Sequence, residues 1–383
     1  VEGVVRVAEF FGNAYAGRRV LVTGHTGFKG SWLTEWLLIL GAEVSGYALD
    51  APTDPSLFDE LGLAERLGRH VIGDVRELAR LRETLRVAAP EIVFHLAAQP
   101  LVRLSYETPV ETYETNVMGT VNLLEAVRSC PSVRAVVVVT SDKCYENRET
   151  GQAYREGDAM GGYDPYSSSK GCAELVTAAY RRSFFGDASP VRIASVRAGN
   201  VIGGGDWAAD RIVPDCIRAL QAGAPIVVRN PEAVRPWQHV LEPLSGYLHL
   251  GALMLSDGHD YDGSWNFGPE EQGTVAVCEV ADAIVAAWGS GAWTTPAQAG
   301  GPHEAHLLAL DITKAREQLG WKPLYPVTTT IERTAAWYAA RQGGSDVRAL
   351  TDADIATYAD EAARTGAVWA TGRTEIAGRE QTT

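Results

Sequence analysis

The chain has 383 residues, enough for one large α/β body with an appended lobe or for two packed domains. Its composition (46% apolar, 21% charged, 39 Gly and 18 Pro) is globular and excludes a disordered, collagen-like or coiled-coil chain. A formal charge of −14 gives no general reason to bind DNA, RNA or an anionic membrane, so an anionic ligand must be met by a local basic pocket.

Val1-Glu2-Gly3 opens no basic-then-apolar segment, so no secretory signal is expected there. The richest apolar run, Leu33 to Leu40, contains Glu35 and falls short of the roughly 18 residues of a membrane span. Five scattered cysteines with no CxxC pair argue against a disulfide framework or a zinc site. The expectation is a cytoplasmic protein without a bound metal.

From residue 18 to about 195, short β-branched runs alternate with helical patterns. Strands are expected at Arg19–Thr23, Glu43–Leu49, Ile92–Leu96 and Val133–Thr140, with a helix over Gly30–Leu40. Apolar runs without polar alternation suit a parallel sheet covered on both faces, which makes this a Rossmann-like doubly wound α/β fold. The loop Gly24-His25-Thr26-Gly27-Phe28-Lys29-Gly30 follows the first strand and opens the first helix, where a pyrophosphate can meet backbone amides. Asp50, twenty residues beyond Gly30, ends the second strand where a carboxylate bonds a ribose 2′-hydroxyl and repels a 2′-phosphate. NAD is therefore expected over NADP. Asp74 and Val75 fall where a third strand ends beside the adenine. Leu96, Ala97 and Ala98 leave the fourth strand with room for the cofactor, and His95 before them reads as a packed histidine.

Tyr166 and Lys170 stand four residues apart on a helical pattern and share a face. The lysine is expected to draw the phenol's pKa from about 10 towards neutrality, making Tyr166 a base for an alcohol proton. Beyond Gly199, Gly- and Pro-rich turns suggest a smaller, loop-rich lobe. The expected division is 1–198 for the cofactor domain, with 237–264 returning to it, 199–345 for the substrate lobe, and 346–383 for a C-terminal helix and tail.

The glycine loop, Ser141 at the end of the Val-rich strand, and Tyr166-Ser-Ser-Ser-Lys170 together resemble the extended short-chain dehydrogenase/reductase superfamily over residues 18 to about 330. The resemblance implies that Ser141 bonds the reacting hydroxyl, Tyr166 is the base, Lys170 also holds the nicotinamide ribose, and Asn116 is a structural residue close to the cofactor. It also implies a homodimer paired through the Tyr166 helix and the helix around Val117–Val127. After Ser141 come Asp142 and Lys143, an acid and a base beyond what oxidation or 4-epimerisation needs. A 4,6-dehydration needs both: once C4 of a hexose is a ketone, a base removes the C5 proton and an acid protonates the departing C6 hydroxyl. For Lys143 to be that base, burial or the Lys170 charge must depress its pKa from about 10.4.

The wording Ser141-Asp-Lys-Cys-Tyr145, with Gly24–Trp32, Gly161–Glu174, Arg197–Trp207, Arg235–Val240 and His303–His306, resembles CDP-glucose 4,6-dehydratases. The resemblance implies a CDP-hexose substrate; a nucleotide-sugar epimerase, or a dehydratase of another nucleotide sugar, is the alternative. Arg211 and Arg235 are the cations expected for the diphosphate. Asn200 and His303 are implied substrate contacts, Trp207 a wall for the base, and Gln99 and Arg103 sugar contacts.

Overall fold

The computed structural model describes residues 7–148, 151–256, 258–270, 274–296 and 308–371. The central sheet places β1 (Arg19–Thr23) between β2 (Glu43–Ala48) and β4 (Ile92–His95). On one side β3 (Arg69–Ile72) follows β2. On the other come β5 (Ala135–Val139), β6 (Arg192–Arg197) and a seventh strand, Gly263–Asn266. All six pairings are parallel, so the expected doubly wound architecture is present. The order reverses between β1 and β4, and a crevice for ligands opens there at the carboxyl ends of the strands.

The inner strands β1, β4 and β5 are apolar on both faces because helices cover both. Leu21, Val93, Val136 and Val138 face Leu81, Leu85, Leu123 and Val127 on one side. Val20, Val22, Phe94 and Val137 face Trp32, Trp36, Leu244 and Leu248 on the other. The first helix, α1 (Phe28–Ile39), is buried on nearly every side over Gly30–Leu37, because the sheet lies under it and the C-terminal helix Val347–Arg364 packs over it. Glu35, fully buried in α1, is held by the guanidinium of Arg66.

Helix Leu241–Ser256 also lies on the sheet, with Tyr15 Oη donating to the Leu248 carbonyl at 2.6 Å. The rest of the second half holds helices Ile212–Gln221, Val277–Trp288, Thr313–Leu319 and Val327–Gln342. It also holds two-stranded pairs, among them Val234–Pro236 antiparallel to Thr274–Ala276.

Candidate active site

Gly24 ends β1 with φ +75°, and its N–H donates to the Tyr47 carbonyl at 3.0 Å. A Cβ there would stand 2.6 Å from the Ala97 amide nitrogen, so the β1 turn and the end of β4 approach as only glycine permits. A Cβ on Gly30 would overlap the Gly24 carbonyl. Gly27 caps α1 without a side chain, leaving the first-turn amides to an incoming anion. Thr26 Oγ1 donates to the Leu49 carbonyl at 3.0 Å and ties this loop to the end of β2, beside the exposed Asp50. Leu96, Ala97 and Ala98 line the opposite side, half-buried. A cradle that a Cβ would fill, with an uncapped helix start and a carboxylate at the second strand, fits a dinucleotide.

Asp74 lies at the same edge, but Arg76 grips its carboxylate at 2.6 and 2.9 Å and holds its pKa below the usual range. Val75 packs against Gly119. His95 is buried with Nδ1 2.7 Å from Thr23 Oγ1, and burial, reinforced by the Lys170 charge, pushes its pKa down to about 3. It is a neutral packing residue.

Ser141 leaves β5 and caps a 3₁₀ turn, Asp142–Cys144. Its Oγ accepts the Lys143 N–H at 3.2 Å and donates to Asp142 Oδ1 at 3.0 Å. Asp142 is 2% exposed and presses on Gly199, where any Cβ would overlap its carboxylate. Lys143 follows on the same turn, half-buried. Facing them, helix Pro165–Phe184 starts on an Asp164 cap that accepts the Ser167 N–H at 2.9 Å, with Pro165 in the first turn. This start turns Tyr166, buried like Ser141, towards the end of β5.

One turn further, Lys170 Nζ donates to the Val139 carbonyl at 3.4 Å, and burial pushes its pKa down to about 8. Beneath it, buried Glu174 receives Arg197 Nη2 and the Ser195 hydroxyl, both at 2.7 Å, and the Thr140 hydroxyl at 2.5 Å. The ion pair thus pins the helix to the ends of β5 and β6.

The expectation for the phenol is corrected. Burial pushes Tyr166 up to about 12, and the downward pull comes from the Ser141 hydrogen bond and the Arg211 charge, while Lys170 faces a carbonyl. Lys29, expected as a cofactor-loop residue, turns its side chain inward. Its ammonium lies 5.8 Å from the Tyr247 ring centroid, and burial together with the Arg211 and Lys170 charges lowers it to about 8, with Asp142 close enough to raise it. Tyr247 itself is fully buried, and its hydroxyl has no hydrogen-bond partner among the described residues.

The remaining expected residues divide. Arg211 reaches the Tyr166 neighbourhood while ion-paired to Asp206 at 2.8 Å. Asn200 sits beside Gly199 in the left-handed region, φ +46°. Arg235 lies in strand Val234–Pro236, and Arg103 is 3.7 Å from Asp210. Asn116, in a π-helical turn, accepts the Gln99 N–H at 2.8 Å and donates to the Gln99 carbonyl at 3.0 Å and to Ser169 Oγ at 2.8 Å. It clamps the end of β4 to the Tyr166 helix.

Two expectations are corrected by packing. The Gln99 amide is taken up by Thr112 and Leu101 in its own segment. Trp207, 7% exposed, stacks edge-on against Tyr338 at 5.2 Å under the Arg341 guanidinium, so it is a core residue rather than a wall for a base. His303 lies outside the described residues. Lys29 left a trace in the sequence, as a lone cation in an apolar helix; Tyr247 left none, being one aromatic in a Leu-rich segment.

A sequence model of the GDP-mannose 4,6 dehydratase family matches residues 21–334. The chain belongs to this family. It is 52% identical to a CDP-glucose 4,6-dehydratase of Salmonella typhimurium over 351 residues, covering 90% of this chain and 97% of that one. In three dimensions this dehydratase-family chain is similar to a UDP-glucose 4-epimerase of Brucella ovis in complex with NAD, with a TM-score of 0.70, 26% identity, and 84% and 99% of the two chains covered. The fold is shared as well with a dTDP-glucose 4,6-dehydratase of Bacillus anthracis, at a TM-score of 0.69 and 22% identity over 85% of this chain and 97% of that one.

Proposed function

We propose that the protein is an NAD-dependent hydro-lyase that converts CDP-glucose to CDP-4-dehydro-6-deoxyglucose. The observation that supports the reading is the Asp142–Cys144 turn, in which a buried carboxylate accepts from Ser141 and a lysine follows it in the chain. An epimerase has no use for that acid and base. The cytidine preference rests on the half-identical Salmonella relative.

The α1 amides at Gly24–Gly30 and the Asp50 carboxylate would hold NAD, with Lys170 at the nicotinamide ribose. When bound, NAD supplies the redox equivalent, accepting hydride from C4 of the hexose and returning it to C6. Tyr166 takes the proton of the C4 hydroxyl while Ser141 orients that oxygen. Lys143 removes the C5 proton, which the new ketone has acidified. Asp142 protonates the C6 hydroxyl as it leaves, and the C5 proton returns from Lys143. Arg211 and Arg235 are the cations for the diphosphate of an anionic substrate.

Incubation with CDP-, dTDP-, UDP- and GDP-hexoses tests the reading. CDP-glucose is expected to give a 4-keto sugar that absorbs in alkali and weighs one water less than the substrate. A product of unchanged mass would make the protein an epimerase. Among the described residues no helix is long and apolar enough to cross a membrane, and the site proposed is that of a cytoplasmic biosynthetic enzyme.

A further inference from the structure

Tyr145 is the residue on which the Asp142–Cys144 turn ends, and it is fully buried. No step of the proposed chemistry uses it, yet its hydroxyl is engaged both as acceptor and as donor. The phenol oxygen accepts from Arg197 Nη1 at 2.6 Å and donates its proton to Asn266 Oδ1 at 2.8 Å. The direction of the second bond is fixed, because Asn266 Nδ2 already donates to the Tyr154 carbonyl at 2.9 Å and to the Asp311 carbonyl at 3.1 Å. Burial holds the Tyr145 pKa well above its usual range, so the phenol keeps the proton that this arrangement needs.

The same guanidinium serves a second element. Arg197 Nη2 donates at 2.7 Å to Glu174 on the helix Pro165–Phe184, and Arg197 and Glu174 are 3% and 4% exposed. Turn and helix are thus tied to different nitrogens of one rigid, planar group at the end of β6. They also pack directly against each other. A Cβ on Gly171, the residue after Lys170, would stand 3.1 Å from the Cys144 carbonyl oxygen and 2.6 Å from that of Gly161. The backbone on either side of Tyr145 has bonds of its own: the Gly161 N–H donates to the Cys144 carbonyl at 2.8 Å and the Glu146 N–H to the Ala159 carbonyl at 2.9 Å. Removing the hydroxyl leaves those bonds in place and frees only the side-chain anchor.

We propose that Tyr145 is a positioning residue for the elimination step, its bonds to Arg197 and Asn266 fixing where the turn bearing Asp142 and Lys143 sits against the Tyr166 helix. The inference rests on the dehydratase reading, in which the two half-reactions use different elements. Oxidation at C4 depends on Ser141, at the end of β5, and on Tyr166 and Lys170 of the helix. Elimination depends on Asp142 and Lys143 of the turn. The helix keeps its own anchor in the Glu174–Arg197 pair when the Tyr145 hydroxyl is lost, and β5 stays bonded to β6 through the Thr140 N–H and the Val196 carbonyl at 2.9 Å. A change at Tyr145 therefore separates the two steps, and a shift of the turn by about 1 Å is enough to slow the second by about 10²-fold.

The test is Tyr145→Phe, which removes the hydroxyl alone. Single turnovers of the NAD-loaded protein with CDP-glucose are followed by the absorbance of the reduced nicotinamide, and the sugars are trapped with borodeuteride and read by mass. Nicotinamide reduction and KM are expected to stay at their wild-type values. The 4-keto hexose that still bears its C6 oxygen should accumulate, with elimination slowed by about 10- to 10²-fold. Asn266→Ala, which removes the phenol's acceptor and keeps the Arg197–Glu174 pair, should shift the same ratio in the same direction. If both variants slow reduction and elimination together, or leave their ratio at the wild-type value, Tyr145 is scaffold only and the inference is overturned. If the wild-type protein makes no 4-keto sugar from CDP-glucose, the functional reading itself falls and the inference falls with it.

Discussion

In the proposed mechanism a single residue, Gly199, decides where the acid can sit. It lies at the far side of the Asp142 carboxylate, and even one methyl group there would overlap the oxygens. Gly199→Ala is therefore expected to displace the acid while leaving Tyr166 and Lys170 in place. Turnover of CDP-glucose should fall by about 10²-fold, the lower range for losing a general acid, with a much smaller loss on a CDP-6-deoxy-6-fluoroglucose, whose fluoride leaves without needing a proton. Steady-state rates on the two sugars check this, and circular dichroism checks that the fold is kept. Ser141, Asp142, Lys143, Tyr166 and Lys170 could all be picked out along the chain, because their residue types and spacing are local facts. Lys29 could not be placed that way. It was expected only as a member of the cofactor loop, whereas packing turns the ammonium inward towards Tyr247, Asp142 and Lys170.

Among the elements, the C-terminal helix Val347–Arg364 is held by buried acids. Fully buried Glu242, on the helix Leu241–Ser256, accepts the Leu324 N–H at 3.0 Å, the Tyr325 N–H at 2.6 Å and the Tyr358 hydroxyl at 2.8 Å. Burial outweighs these bonds and raises Glu242 from 4.5 to about 7. Asp352, on the C-terminal helix, is raised to about 6 by burial and by sharing a hydrogen bond with Glu35 of α1.

The sign follows from proton linkage: a carboxyl whose folded pKa is raised binds more protons in the native state, so its stabilising contribution is whole below pH 4.5 and is lost as pH rises through about 7. Relative to Glu242→Gln, the wild type should lose about 3 kcal/mol of stability across that window. Urea melts of both proteins on either side of the window check it; a constant difference would mean that Glu242 does not titrate there. The helical pattern of this element was readable from Asp352 to Ala363, but its true start at Val347 depends on the Asp346 cap, which accepts the Ala349 N–H at 2.7 Å.

For the molecule as a whole, one face remains apolar and open. Leu104, Val110, Met118, Leu175 and Phe184 are between 37% and 69% exposed, on helices that pack against one another around Pro165–Phe184. We propose that a second copy of the chain covers this face, making a homodimer through a four-helix contact that also braces the helix bearing Tyr166 and Lys170. Light scattering at micromolar concentration should return twice the 41.2 kDa chain mass, and Leu175→Lys should return the monomer. A wild-type monomer would remove the dimer without touching the chemistry. The division of the chain into a cofactor region and a substrate lobe stays a proposal of the same kind. In the structure helix Leu241–Ser256 and strand Gly263–Asn266 belong to the central sheet and its cover, while the shorter paired strands lie outside it.

By itself the sequence determined the parallel sheet, the glycine cradle, the tyrosine–lysine helix and the order Ser141-Asp142-Lys143. These depend on local periodicity, turn chemistry and spacing, which act over a few residues. Only the tertiary structure decided which lone pairs and protons were already spoken for. It spends the Gln99 and Asn116 amides on the scaffold, sinks Trp207 into the core and packs the Asp142 carboxylate against Gly199. The reason is physical: a hydrogen bond or a buried charge is set by partners tens to hundreds of residues away, and no local pattern along the chain records them.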